Sequence, residues 1–79
     1  MLLVRYFAGA RAAAGTPEEK IDAATLDTLV DTLAAAHGDR LASVLRSSSF
    51  LIDGLVWHDR SAPLPVSATV DVLPPFAGG

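Results

Sequence analysis

The 79-residue chain has room for one small domain, and with no cysteine it must hold together by apolar packing, without disulfides, thiol chemistry or a Cys-based metal site. A formal net charge of −3, with the two signs interspersed, argues against nucleic acid as a partner and suits docking onto a basic surface. No stretch reaches the about 18–20 apolar residues of a membrane span, and Arg5 and Arg11 break the N-terminal apolar run, so neither membrane partner nor signal peptide is expected and the location is read as cytoplasmic.

Leu2 to Phe7 is β-prone, and its alternation puts Leu2, Val4 and Tyr6 on a core face. Leu3, Arg5 and Phe7 fall on the wetter face, where Phe7 is a candidate docking residue. Ala8 to Ala14 reads as one or two helical turns around Arg11, closed by Gly15. Thr16 to Asp22, led by Pro17 and rich in charge, predicts a second strand at a sheet edge.

Thr25 to Gly38 carries the clearest helix. Leu26, Leu29, Val30, Leu33 and Ala34 form one apolar stripe, with Thr25 as N-cap, Asp27 in the first turn and Gly38 as the stop. Asp39 then starts a shorter helical turn that turns Leu41, Val44 and Leu45 inward, and Ser47-Ser48-Ser49 reads as a loop. Phe50 to Ile52 and Leu55 to His58, joined by Asp53-Gly54, have a hairpin signature. Asp59 to Pro65 is a loop from which Leu64 plugs the core. Thr69 to Leu73 alternates once more, with Val70 and Val72 inward and Thr69, Asp71 and Leu73 outward.

This order implies an α+β domain spanning residues 1–79. A mixed sheet of four or five strands wraps one main helix, with the N-terminal strand central.

The chain ends Leu73-Pro74-Pro75-Phe76-Ala77-Gly78-Gly79. Pro74 and Pro75 favour an extended path without N–H donors, so they stop the strand and predict a projecting tail. Gly78 and Gly79 have no side chains, which would let the backbone enter a narrow channel with only the Gly79 carboxylate at its tip. A Gly-Gly end alone is equally compatible with a frayed terminus, and the rest of the chain has to decide.

Three features decide it: the opening strand ending Tyr6-Phe7-Ala8, the Ala8-Gly9-Ala10-Arg11…Gly15 segment, and the Pro-Pro-Phe-Ala-Gly-Gly end. Together they resemble the β-grasp, ubiquitin-like sulfur carriers of the MoaD/ThiS type, and the Pro-Pro pair looks most like the molybdopterin synthase small-subunit branch. The resemblance covers essentially the whole chain. It implies a protein that is no enzyme by itself, binds no cofactor, and serves as the sulfur-donating subunit of a larger complex. An ATP-dependent activating enzyme would adenylate Gly79, a sulfur donor protein would lead it to a thiocarboxylate, and the tail (Pro74, Pro75, Phe76, Ala77, Gly78) would enter the large catalytic subunit. Two departures bear on partner choice: Pro65-Val66-Ser67-Ala68 replaces an often Asp/Gly-rich loop, and Leu73 stands where an aromatic is frequent. Carriers for cysteine or thiamine synthesis, and a ubiquitin-like modifier or adaptor, remain alternatives.

Partner contacts are expected from Phe7, Arg11, Trp57 and Leu73. For Arg11 a solvated helix-end charge is an equal alternative, and for Trp57 burial in the core is the stronger one. His37 and His58 lie on different elements with no triad spacing and read as surface residues. No metal site is expected.

Overall fold

The computed structural model describes residues 1–75. Its elements run β1 (Leu2–Tyr6), α1 (Ala8–Ala14), β2 (Glu18–Ile21), α2 (Leu26–His37), α3 (Asp39–Ser47), β3 (Ser49–Ile52), β4 (Leu55–Val56) and β5 (Thr69–Leu73). The five strands form one mixed sheet in the order β2-β1-β5-β3-β4. Only β1 and β5 are parallel, and the other neighbours are antiparallel. The middle strand is therefore β5, with β1 beside it, a correction to the expectation of a central N-terminal strand. The long chain between them makes this possible, since parallel neighbours need a crossover and here two helices supply it.

The core face of the sheet carries Leu2, Val4, Tyr6, Phe50, Ile52, Val70 and Val72, all buried. Against it α2 sets Leu26, Leu29 and Leu33 from its apolar stripe, and α3 adds Leu41 and Leu45. Val44, expected inward, is half-buried at the margin of this core, and Leu64 packs against it from its loop. Each fully buried Leu of this kind is worth about 1.5–3 kcal/mol relative to exposure.

Local chemistry sets the joints. Thr25 caps α2, its hydroxyl accepting from the Thr28 N–H at 3.2 Å. Gly38 separates α2 from α3 at φ 89°, ψ −169°, a region that essentially only glycine occupies. Asp53 and Gly54 both have positive φ (49° and 86°), the requirement of the type I′ turn that suits a two-residue hairpin loop. Asp53 also ties the hairpin to the middle strand. Its N–H donates to the Thr69 carbonyl at 2.8 Å, and its Oδ1 accepts from the Thr69 N–H at 2.9 Å. At the turn into β5, Ser67 holds φ 58° while the Ala68 N–H donates to the Pro65 carbonyl. A serine thus occupies the left-handed position that glycine or aspartate would take with less strain.

Two further expectations need correction. Ser47–Ser49 is no loop, because Ser47 ends α3 and Ser49 opens β3, leaving Ser48 alone between them. The hairpin's second strand is only Leu55–Val56, both largely exposed, with Trp57 and His58 beyond it. Both edges of the sheet are short, and β2 turns the charged Glu18 and Lys20 to solvent, which discourages edge-to-edge pairing.

Candidate functional site

The candidate site is the outer sheet face around the end of β5, where the chain passes into Pro74 and Pro75. The parallel register pairs Leu3 with Thr69 and Arg5 with Asp71. Past the end of β1 the Phe7 N–H still donates to the Val72 carbonyl at 3.3 Å. Phe7 is extended (φ −125°, ψ 150°), so the alternation continues and sets its ring beside Leu73 on the outer face. Phe7 is 40% exposed and Leu73 half-buried. Leu51 and Val56 share this face through the β3–β4 pairing, which makes it apolar on the β5-β3-β4 side.

At its centre lies an ion pair that the alternation pattern alone did not reveal. The Arg5 Nε donates to Asp71 Oδ1 at 2.6 Å and a terminal nitrogen donates to Oδ2 at 2.9 Å. The hydrogen bond to Asp71 and the Asp71 charge hold the Arg5 guanidinium above its ordinary pKa. Arg5 also sits over the Phe7 ring, 5.9 Å from its centroid. Asp71 was expected to face solvent. It does lie on the outer face, but Arg5 covers it and leaves it 8% exposed.

Arg11 is exposed on α1, one turn from Phe7, whose carbonyl accepts the Arg11 N–H at 3.4 Å. Trp57 is not brought together with these residues. Its backbone N–H donates to the Phe50 carbonyl, which pairs it with a core-facing residue, and it packs half-buried on the helix side of the sheet. Its large ring follows the burial preference of aromatic side chains. Pro74 is half-buried and Pro75 exposed. Phe76, Ala77, Gly78 and Gly79, including the expected carrier carboxylate, lie outside the described residues.

His37 is not a free surface histidine. Its Nε2 lies 2.5 Å from Glu19 Oε2, which also accepts the Tyr6 hydroxyl at 2.7 Å. The Tyr6 and His37 rings meet edge to face, 6.1 Å apart. Burial, then the hydrogen bond and charge of Glu19, push the Tyr6 phenol pKa up, so the phenol stays a donor. The cluster joins β1, β2 and the end of α2, a tertiary contact that no local spacing announces. It lies on the side of the sheet away from the Phe7–Leu73 face.

A hollow of about 410 Å³ lies at the other end of the sheet, among Leu2, Ala23, Pro63, Leu64 and Val66. Among the described residues no group of three or more His, Asp or Glu could hold a metal ion, and no helix is long and apolar enough to cross a membrane. Among the described residues the outer face thus offers an apolar surface beside the point where the chain passes into Pro74 and Pro75.

A family model described as the ThiS family matches residues 4–79. Among solved structures, small archaeal modifier protein 1 (SAMP1) from Methanosarcina acetivorans is 25% identical, with 99% of this chain and 95% of that one covered and a TM-score of 0.85. The Haloferax volcanii HVO 2177 protein is 28% identical, with 99% and 85% covered and a TM-score of 0.77. The complex of subunits 1 and 2 of molybdopterin-converting factor from Helicobacter pylori 26695 holds a chain that is 22% identical, with 99% and 97% covered and a TM-score of 0.74. A search of curated proteins gives no match.

Proposed function

Because the chain belongs to the ThiS family, with a ubiquitin-like β-grasp fold, we propose that it is a sulfur carrier whose Gly79 carboxylate is charged and discharged by other proteins. The observation that carries this reading is the join between fold and tail. The middle strand of the sheet ends at Leu73, and Pro74-Pro75 and then Phe-Ala-Gly-Gly follow it directly in sequence. A prolyl pair limits the conformational entropy lost when the end enters a partner.

A carboxylate is a poor electrophile. An activating enzyme would let a Gly79 oxygen attack the α-phosphate of ATP, releasing pyrophosphate and leaving an acyl-adenylate. A sulfur donor protein then supplies sulfide-level sulfur that attacks the carbonyl carbon, the carbon–oxygen bond to AMP breaks, AMP departs with its electrons, and a thiocarboxylate remains, a nucleophile able to give up its sulfur in a shielded pocket. Small-subunit duty in molybdopterin synthase is the favoured pathway. The Pro-Pro pair supports it, and the fold is shared with subunit 1 of molybdopterin-converting factor. In that pathway the large subunit does the catalysis, two donations build the dithiolene on the cyclic pterin precursor, and no cofactor resides on the carrier. A second reading, a protein modifier joined to lysines, draws on the likeness to SAMP1.

Intact mass after incubation with the activating enzyme, ATP and a sulfur donor tests the proposal. A gain of about 16 Da, the exchange of oxygen for sulfur at the acyl carbon, is the expected result. Conjugates to other proteins with no such gain would replace it with the modifier reading.

The Phe7–Leu73 face is the docking surface in this scheme. Phe7→Asp and Leu73→Asp should each weaken binding to the large subunit by about 2 kcal/mol or more, roughly 30-fold, as for a buried apolar anchor. Titration calorimetry giving wild-type affinity would remove either residue from the interface.

A further inference from the structure

Resting on the reading that the Gly79 carboxyl is activated, we propose that this domain keeps amines and thiols away from the root of its tail. Arginine is its only permanent cation there, so the activated end is not captured by its own surface. An acyl-adenylate or thioester is attacked readily by amines and thiols. This chain has no cysteine, and it has one lysine against five arginines.

The topology sets that lysine at the far end of the sheet. Lys20 pairs with Leu3, and Leu3 pairs with Thr69, the first residue of β5, whereas the tail leaves from the last. Counting along and across the sheet, Lys20 lies about 22 Å from Pro75, at about 3.3 Å per residue and about 4.8 Å between strands. The four residues beyond Pro75 span at most about 14 Å when extended, and a lysine side chain adds about 6 Å. Lys20 therefore meets the Gly79 carbonyl only with the tail and its own side chain both fully extended straight back along the sheet.

The arginines are placed otherwise. Arg11 is one helical turn from Phe7, which is hydrogen-bonded to Val72, and Arg46 precedes by three residues the Ser49 that pairs with Leu73. Both are exposed. Arg5 is held by Asp71, two residues before Leu73. A guanidinium brings the same positive charge as an ammonium, favourable beside a carboxylate or thiocarboxylate. It stays protonated and does not acylate, whereas a lysine loses its proton readily enough to attack.

In the capture that is avoided, a lysine Nζ lone pair attacks the Gly79 carbonyl carbon. The leaving group departs with the electrons of the broken bond, the ammonium proton passes to solvent, and a lactam forms. The test uses the 79-residue chain carrying a Gly79 thioester generated by intein cleavage, held in mildly alkaline buffer and followed by intact mass and peptide mapping. The wild-type chain is expected to give the free acid. Arg11→Lys and Arg46→Lys should give a lactam, one water lighter than the acid, in about tenfold or greater excess over wild type, as tethering at millimolar effective concentration provides. Both sites are exposed and keep their charge, so the folded state, checked by circular dichroism, is retained, and either variant alone carries the test. Cyclisation of the wild-type chain through Lys20 as readily as in the variants, or no lactam from either variant, would overturn the inference. The thioester is made without an activating enzyme, so either outcome leaves the sulfur-carrier proposal to its own assay.

Discussion

Leu33→Ala is expected to lower the unfolding free energy by about 2–5 kcal/mol, the usual range for truncating a buried leucine. Leu33 is fully buried, as are Leu29 and, to 1% exposure, Leu26 on the same stripe of α2. Across from them lie the valines of β1 and β5, which are equally buried. A small domain has little slack, because total stability is about 5–15 kcal/mol. Each kcal/mol lost costs about 4–8 °C of melting temperature in a chain of this size. The variant should therefore melt at least about 8 °C below the wild type, and Val30→Ala, at a half-buried position on the margin of the stripe, should lose less. Urea titration is the measurement. A loss under about 1 kcal/mol would show that α2 does not turn this face to the sheet.

That stripe was legible because helical packing is periodic: the spacing of Leu26, Leu29 and Leu33 names the buried face before any partner is known. Asp53-Gly54 was legible for a different reason, since its turn type is a local backbone requirement. Pairing across the sheet has no such local code. The central place of β5 depends on the crossover through α2 and α3. The burial of Asp71 depends on Arg5, 66 residues away in sequence. The Tyr6–Glu19–His37 cluster needs three elements to meet, and each residue in isolation suggests only a core aromatic, an edge charge or a surface imidazole. At the candidate site, Phe7 and Leu73 came from simple alternation, which the parallel register then set side by side. For Trp57 burial was the stronger reading because of its size, and its place opposite Phe50 puts it on the helix side. The reading of the tail came from its motif, Pro74 to Gly79, and its last four residues lie outside the described ones.

Deleting Gly79, or adding one residue after it, should abolish sulfur donation while leaving the melting temperature unchanged. Among the described residues the buried core ends at Val72, and a glycine has no side chain to add to it, so no change in stability is expected. Its effect is positional. One residue moves the acyl carbon by up to about 3.6 Å along the chain, whereas bond formation requires the reacting atoms to be held about 3–3.5 Å apart, and a misplacement of 1 Å can cost about 10²-fold. Both the adenylation and the donation step depend on that position, so the losses should compound. Single-turnover sulfur transfer from pre-formed thiocarboxylate separates the two, because it bypasses activation. Transfer at the wild-type rate from the shortened chain would mean that the acyl carbon is not the delivery point, and the carrier reading would fall with it. Gly78→Ala sharpens the test. It leaves the acyl carbon in register and adds only a Cβ, so a large loss there would locate the constraint in the width of the partner's channel, and a small loss in the length of the tail.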